Sequence, residues 1–177
     1  MDTGCRLALL HEAALNLNKG KSFDIIYIVK LEFLAIKAEH LEEVLGIERL
    51  SFPEPWTRGM FEREISLPIS HFFVANLEKK IVGYSGYWQV EDEAHLINLA
   101  VHPDFRCRGL GRQILNYLCE MAVKQGLRKI LLEVRESNSA ARKLYESCGF
   151  LTNGLRLKYY QDENAVLMVK NTSTGEI

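Results

Sequence analysis

Apolar and polar positions follow two different periods along this chain, and the change of period is clearest around residue 100. Residues 96–101 form an apolar run of strand length that is rich in branched side chains. Pro103 and Asp104 end this run, because proline lacks the N–H that a sheet ladder needs and both residues favour turns. Beyond the turn, apolar residues recur every three or four positions up to Gly126, which predicts a helix over residues 109–126.

Before and after this segment, the same patterns predict further strands and helices. Short turns join two upstream strands to the run at 96–101, which is typical of an antiparallel meander. Because this run connects to the next strand through a helix, these two strands are expected to be parallel. The predicted elements are a strand over 25–33, helices over 38–50 and from Thr57 to before Pro68, strands over 71–77, 81–90 and 129–135, a helix capped by Ser137 and Asn138 that ends at Gly149, short strands over 150–153 and 155–159, a turn over 161–164 and a strand over 165–170.

This order predicts an α/β fold with a mixed, mostly antiparallel central sheet flanked by helices. Residues 28–170 are expected to form this single domain, since a chain of 177 residues suits one core. Residues 1–27 would be an N-terminal extension, for which a packed extra helix, a flexible arm and a segment without a role all stay open. Residues 171–177 would be a polar, frayed tail.

The loop between the strand and the helix of the central segment carries three arginines and two glycines: Arg106, Arg108, Gly109, Gly111 and Arg112. The first turn of a helix has unpaired N–H groups and the positive end of the helix dipole. Glycines let a phosphate approach the backbone, and arginines add charge-assisted hydrogen bonds. The loop therefore predicts an anion site, most naturally for a pyrophosphate. A tight turn with solvated arginines is the alternative.

Motifs and composition disfavour several classes of protein. A dinucleotide-binding fingerprint needs a third glycine where Ile114 stands, and a nucleotide P-loop needs Lys and Ser or Thr after Gly111. A net charge of -1 argues against broad nucleic-acid binding, and no apolar run approaches the ~20 residues that span a bilayer. The four cysteines lack zinc-type spacing, so no metal site is predicted, and reduced thiols are typical of a cytoplasmic protein.

Two residues in the second half of the chain are candidates for acid–base chemistry. Glu133 is a carboxylate in an apolar strand, so we expect it to be paired or to point into a cavity. An ion pair with Arg135 and a role as general base are both open. Tyr145 lies on the apolar face of the next helix and is either a core aromatic or a proton donor, since a phenol of pKa about 10 can protonate a thiolate. Helix capping explains Asn138, and its amide could also bind a cofactor.

Several segments together resemble one enzyme family. Residues 106–111 are similar to the Gln/Arg-x-x-Gly-x-Gly/Ala signature of the GCN5-related N-acetyltransferases, whose loop binds the pyrophosphate of acetyl-coenzyme A (acetyl-CoA). Residues 131–150 resemble the bacterial ribosomal-protein-alanine N-acetyltransferases within that family. This group also has an Asn-x-Ala-Val element, a Phe-Pro-x-Pro-Trp loop and a late Tyr-Tyr pair, which are matched here at 98–101, 52–56 and 159–160.

The resemblance implies a role for each matching residue. Glu133 matches the general base and Tyr145 the general acid, and the backbone of residues 99–101 matches the segment that pairs with pantetheine and polarises the thioester. Asn164 stands where the family often has Asp, which concerns the preference for the acceptor peptide. The residues expected to bind acetyl-CoA are Leu99, Ala100, Val101, Arg106, Cys107, Arg108, Gly109, Leu110, Gly111, Arg112 and Asn138. Candidate walls of the acceptor groove, with core anchoring as the alternative, are Phe52, Trp56, Tyr159 and Tyr160.

The resemblance therefore implies an enzyme that transfers acetyl from acetyl-CoA to a protein N-terminal amine by direct attack in a ternary complex. The expected acceptor is the N-terminal alanine of a small-subunit ribosomal protein. Acetylation of another amine (a small metabolite, a different N-terminus or a lysine) and a CoA-binding module without turnover are the alternatives. The implied partners are acetyl-CoA and a protein N-terminus, with no nucleic acid, membrane or metal, and the implied location is the cytoplasm.

Overall fold

A computed structural model describes residues 31–160 and 163–172. The strands are β1 (Glu32–Ala35), β2 (Ser70–Leu77), β3 (Lys80–Val90), β4 (Glu93–Val101), β5 (Lys129–Arg135), β6 (Leu151–Tyr160) and β7 (Glu163–Asn171). The α-helices are α1 (Leu41–Ser51), α2 (Arg58–Ser66), α3 (Leu110–Lys124) and α4 (Ser139–Ser147), with short 3-10 helices at Ala38–His40 and Pro103–Phe105. The strands form one sheet in the order β1-β2-β3-β4-β5-β7-β6. Only the β4–β5 pair is parallel in this part of the chain, which confirms the predicted mixed, mostly antiparallel sheet.

The observed elements differ from the predicted ones mainly near the two ends of the described segments. β1 begins at Glu32, and residues 25–30 of the predicted first strand lie outside the described residues. β6 is one continuous strand, because an irregularity next to Gly154, whose φ is 155°, absorbs the predicted break. The predicted turn over 161–164 is wrong at Glu163 and Asn164, since both already belong to β7.

The predicted frayed tail is wrong at its first two residues. Asn171 pairs with Lys129 of β5, and Thr172 is buried. The backbone N–H of Thr172 donates to the carbonyl of Arg128 at 3.0 Å, and its hydroxyl donates to the carbonyl of Leu127. These bonds extend the sheet edge by one ordered residue. Residues 173–177 and the predicted N-terminal extension over 1–27 lie outside the described residues.

Helices cover both faces of the central strands and bring the N-terminus of α3 close to β4. On one face, α1 and α2 pack on β2, β3 and β4 through buried side chains such as Val44, Phe61 and Tyr84. On the other face, α3 approaches β3 so closely that a Cβ at Gly83 would lie 2.7 Å from both Ile114 Cδ1 and the carbonyl oxygen of Ala100. Glycine is therefore required at position 83 by close packing rather than by backbone conformation.

The sheet opens between its two parallel strands. β4 and β5 pair only from Glu93 to His95 on β4, against Lys129 to Leu131 on β5. Just beyond His95, the β3–β4 register shifts so that Ile97 is an extra residue on β4. Such a bulge bends a strand and increases its local twist. The remaining halves of β4 and β5 are therefore not paired with each other, and the sheet has a V-shaped opening at this point.

Candidate active site

The loop before α3 has the backbone conformation of an anion site at the end of β4. Cys107 and Gly109 both have positive φ, 60° and 77°, and a Cβ at position 109 would contact nothing within 4 Å. Glycine is thus favoured at position 109 because the backbone has a positive φ, and not because a side chain would lack room. The first hydrogen bond of the helix runs from Gln113 N to Gly109 O at 3.2 Å, so the N–H groups of residues 110–112 have no acceptor within the helix. These groups fit a bound diphosphate.

The three arginines of the loop have different partners. Arg106 Nε donates to the carbonyl of Val101 at 3.0 Å, and its Nη2 donates to Ser51 Oγ at 2.9 Å. The guanidinium of Arg108 lies 5.4 Å from the centroid of the Phe105 ring. Arg106 therefore connects the loop to β4 and α1, whereas Arg108 remains on the outer side of the loop, where a phosphate can reach it.

Arg112 connects α3 to the C-terminal end of α4. Its Nη1 and Nη2 donate to the carbonyl and hydroxyl oxygens of Ser147 at 3.3 and 3.0 Å. The two helices also approach each other near Gly111, where a Cβ would lie 3.3 Å from Leu144 Cδ2. The structure thus gives Gly111 and Arg112 a packing role at the loop, in addition to the predicted role in cofactor binding.

The backbone of β4 exposes part of its hydrogen-bonding edge at the V-shaped opening. His102 N donates to Val82 O at 2.9 Å, which fixes the alternation of the β3–β4 ladder. In an antiparallel ladder, every second residue directs its backbone groups to the partner strand. By this alternation Ala100 bonds toward β3, while Leu99 and Val101 direct their backbone groups toward the opening. Leu99 and Val101 are therefore the members of the predicted 99–101 segment that can pair with an extended ligand.

Glu133 lines a groove of about 320 Å³ beside the opening. Alternate residues of β5 are buried, and Glu133 lies on the other, half-buried face of the strand. The groove is largely apolar, and its other lining residues are Trp88, His95, Leu96, Ile97, Leu131, Leu132, Asn153, Tyr159, Leu167 and Met168. The sequence predicts that this carboxylate is paired or points into a cavity, and the structure shows both.

A charged partner of Glu133 is Arg156 of β6. Arg156 Nη1 lies 2.6 Å from Glu133 Oε1, and its guanidinium lies 4.9 Å from the centroid of the Tyr159 ring. Arg135 forms an ion pair with Glu163 at 3.4 Å. The structure thus gives Glu133 an ion-pair partner that the sequence analysis did not consider. The sequence could not indicate Arg156, because its position opposite β5 depends on β7 lying between β5 and β6 and on the irregularities of β6.

The two tyrosines at the end of β6 both contact Glu133. The hydroxyl of Tyr159 hydrogen-bonds the carboxylate, and this bond, followed by burial, raises the pKa of Tyr159. The hydroxyl of Tyr160 donates to the backbone carbonyl of Glu133 at 3.4 Å. The ring of Tyr160 lies under the guanidinium of Arg135, 4.2 Å from ring centroid to Cζ. Both tyrosines are thus at the predicted site, and Tyr159 is also a wall of the groove.

Tyr145 is buried on α4, close to Tyr160. Its ring centroid lies 5.7 Å from that of Phe150. Burial, and secondarily the neighbouring Tyr160 hydroxyl, raise the pKa of Tyr145 above its usual value of 10, so the phenol stays protonated. Within residues 31–160 and 163–172, the Tyr145 hydroxyl makes no hydrogen bond, so it can donate one to a ligand. Tyr160 is thus close both to β5, which carries Glu133, and to Tyr145.

Three further predicted residues have clear structural roles. Asn138 Oδ1 accepts a hydrogen bond from Ala141 N at 3.1 Å, so Asn138 is the N-cap of α4, and its amide NH₂ remains exposed. Phe52 and Trp56 are half-buried and pack on the core beneath α1 and α2. The Trp56 ring lies 5.2 Å from that of Phe61 by centroids. The structure does not bring Phe52 or Trp56 to the groove that Glu133 lines.

The described residues contain neither a candidate metal site nor a helix that could cross a membrane. Among residues 31–160 and 163–172, no group of three His, Cys, Asp or Glu side chains is placed to hold a metal ion. None of the helices described here is both long and apolar enough to cross a membrane.

Comparison with known proteins identifies the class of enzyme to which this architecture belongs. The family model described as Acetyltransferase (GNAT) family matches residues 41–150. The chain therefore belongs to the GNAT family of acetyltransferases, and it is an acetyl-CoA-dependent N-acetyltransferase.

Individual relatives span most of this chain. The ribosomal protein bS18-alanine N-acetyltransferase of Salmonella typhimurium is 36% identical over 131 residues, which are 69% of this chain and 84% of that protein. The enzyme with the same name from Escherichia coli strain K12 is 33% identical over 138 residues, which are 76% of this chain and 93% of that protein. The crystal structure of the ribosomal-protein-S18-alanine N-acetyltransferase from Escherichia coli aligns with a TM-score of 0.76 and 32% identity, and covers 83% of this chain and 97% of that chain.

Proposed function

We propose that this enzyme acetylates the N-terminal alanine of ribosomal protein bS18 in the cytoplasm, by direct attack of the amine on the thioester of acetyl-CoA in a ternary complex. Relatives that cover more than two thirds of this chain carry this acceptor in their names. The observation that carries the proposal is the position of Glu133, which lies in an open groove beside the V-shaped opening of the sheet.

Acetyl-CoA supplies the acetyl thioester, and the residues of this chain bind and orient it. The N–H groups of residues 110–112 and the guanidinium of Arg108 would hold the diphosphate. The outward backbone edge of Leu99 and Val101 would pair with the pantetheine arm. A backbone N–H from this edge, directed at the thioester oxygen, would stabilise the negative charge that develops there during attack.

Glu133 would accept the proton of the attacking amine, directly or through one water. An N-terminal ammonium has a pKa of about 8 and cannot attack until it loses a proton. The hydrogen bond from Arg156 restrains the direction of the carboxylate in the groove. The carboxylate thus serves both to attract the ammonium and to remove its proton.

Tyr145 would donate a proton to the sulfur as the thiolate departs. A phenol is protonated at neutral pH because its usual pKa is about 10, and burial raises the pKa of Tyr145 further. The hydroxyl has no hydrogen-bond partner among the described residues that would compete for the donated hydrogen. Its neighbour Tyr160 donates a hydrogen bond to the backbone carbonyl of Glu133.

Initial-rate kinetics with a peptide that begins with the first residues of bS18 tests this proposal. Thiol release should require the free N-terminal alanine, and a peptide blocked at its N-terminus but with its lysines intact should not be acetylated. Varying both substrates should give intersecting double-reciprocal lines, as a ternary complex requires. Parallel lines, or equal rates with the blocked peptide, would contradict direct transfer to the N-terminal amine.

A further inference from the structure

A buried carboxylate on α2 holds a tryptophan of the groove that Glu133 lines. Trp88 Nε1 donates to Glu64 Oε2 at 2.7 Å, and Ser70 Oγ donates to the same oxygen at 2.6 Å. Glu64 is only 7% exposed. A carboxylate is rarely so buried unless hydrogen bonds stabilise it, and here two neutral donors do so. Glu64 therefore fixes the orientation of the Trp88 ring from behind.

The hydrogen bond to Glu64 removes the polar atom of Trp88 from the groove. The indole N–H is its one hydrogen-bonding group, and it is directed into the protein. The aromatic surface of Trp88 lines the groove beside His95 and Leu131. Trp88 is opposite His95 across β3 and β4, and His95 is opposite Leu131 across β4 and β5, so the three side chains form one row. Trp88 and Leu131 thus give the groove two apolar surfaces near Glu133, with the His95 imidazole between them and its Nε2 3.3 Å from Glu93 Oε2.

Sheet geometry places this row within reach of the first residues of an acceptor chain. Neighbouring strands lie about 4.8 Å apart, so Trp88 is roughly 10 Å from β5, and Leu131 lies two residues, about 7 Å, before Glu133. The backbones of Glu133 and Trp88 are therefore roughly 12 Å apart. An extended peptide advances about 3.4 Å per residue, so its third and fourth residues pass over the row.

We propose that Trp88, held by Glu64, is a specificity-determining residue that recognises a large apolar or aromatic side chain at position three or four of the acceptor. This inference rests on the proposed function, since it requires a peptide with its N-terminus at Glu133. The apolar lining of the groove favours such a side chain over a charged one, because Trp88 offers no hydrogen bond and burying a charge there would be costly. Glu64 is a positioning residue in this account.

A positional peptide panel tests the role of Trp88. Alanine-starting peptides would carry Ala, Leu, Phe or Lys at one of positions two, three or four, and kcat/KM would be measured by thiol release. We expect Phe or Leu at position three or four to raise kcat/KM about tenfold over Ala, mostly through KM, and Trp88→Leu to reduce that preference to about twofold or less. No dependence on these positions, a preference for Lys, or an unchanged preference in Trp88→Leu would overturn the inference.

Variants of Glu64 separate positioning from general packing. Glu64→Gln keeps an acceptor for the indole N–H and should retain the peptide preference, whereas Glu64→Met removes the acceptor and should lose it. Glu62→Gln, on the exposed side of the same helix, is the matched control. The emission of Trp88, recorded in a Trp56→Phe background because the chain has two tryptophans, should shift in Glu64→Met and not in Glu64→Gln.

The outcomes distinguish this inference from the proposed function. Acetylation of alanine-starting peptides without any side-chain preference would leave the proposed function intact and refute the role of Trp88. Absence of acetylation for every peptide would refute the proposed function itself. If Glu64→Met shifted the Trp88 emission but kept the full peptide preference, the positioning role of Glu64 would be wrong.

Discussion

Arg156 Nη1 of β6 lies 2.6 Å from Glu133 Oε1 of β5, although β7 lies between the two strands in the sheet. The same end of β6 carries Tyr159, which lines the same groove and whose pKa the interaction with Glu133 raises. The last strand pair of the fold thus orients the proposed general base. This arrangement makes the β6–β7 hairpin part of the proposed active site and not only an edge of the sheet.

Replacing Arg156 should impair turnover more than stability. The ion pair is partly exposed, so its loss in Arg156→Gln should change the free energy of unfolding by less than about 1 kcal/mol. The carboxylate would lose its fixed direction, and we expect kcat to fall about tenfold because proton acceptance requires precise geometry. Arg156→Lys should keep part of the activity through its charge. Steady-state kinetics with thermal melts checks this, and an unchanged kcat in Arg156→Gln would show that the pair is incidental.

Two Gly→Ala substitutions should have opposite effects on the free energy of unfolding. Gly109 has φ 77°, so alanine there should destabilise the protein by about 1 kcal/mol and raise the KM for acetyl-CoA. Gly46 lies inside α1, and a Cβ there would contact nothing within 4 Å. Gly46→Ala should stabilise the protein by about 1 kcal/mol through helix propensity and leave the KM unchanged. Denaturant melts and acetyl-CoA titrations check the pair; a normal KM in Gly109→Ala would argue against the diphosphate loop.

Glu48 should make stability depend on pH in a defined direction. It is 1% exposed and accepts hydrogen bonds from Trp56 N at 2.9 Å and from the Tyr84 hydroxyl. Burial raises its pKa above the usual 4.5, so the folded protein keeps this proton to higher pH than the unfolded chain. The contribution of Glu48 to the free energy of unfolding therefore falls as pH rises from about 4.5 through the folded pKa.

In Glu48→Gln this decrease should disappear. Relative to its value at pH 4.5, the free energy of unfolding at pH 8 should be higher in the variant than in the wild type. This comparison holds whatever the absolute stability of the variant. Glu120→Gln, at an exposed position of α3, should keep the wild-type dependence. Urea titrations at several pH values measure this, and identical profiles for wild type and Glu48→Gln would contradict the raised pKa.

Tyr145→Phe should separate chemistry from folding. The hydroxyl has no hydrogen-bond partner in the described part of the chain, so its removal should change the free energy of unfolding by no more than about 0.5 kcal/mol. The loss of a proton donor should lower kcat by about 10²-fold with little change in the KM for acetyl-CoA. Single-turnover rates and thermal melts provide the test. Full activity in Tyr145→Phe would assign proton donation to another group.

The central segment was predictable because its residues act locally. The strand ends at Pro103, the loop needs positive φ at Gly109, and the helix follows from its own apolar period, so each feature is readable within a few residues. The V-shaped opening was not predictable, since it depends on the register of β3 against β4 at Ile97. The partner of Glu133 was also hidden, because Arg156 is 23 residues away along the chain and reaches β5 only through the strand order.

Two arginines of the predicted loop also have partners that the sequence could not indicate. Sequence reasoning treated Arg106 and Arg112 as anion ligands because they are adjacent to glycines at a helix start. Their partners in the structure, Ser51 and Ser147, lie 55 and 35 residues away and could not be inferred from spacing. Trp88 was missed for a similar reason, because an indole in a strand is usually core and only the position of Glu64 reveals its orientation.

Intact-mass and fragment analysis of small-subunit ribosomal proteins, after incubation with this enzyme and acetyl-CoA, tests the central claim most directly. We predict the gain of one acetyl group on bS18, located on the N-terminal alanine, and no gain with the Glu133→Gln, Tyr145→Phe double variant. Acetylation confined to lysine side chains or to another protein, or undiminished acetylation of bS18 by the double variant, would contradict the account.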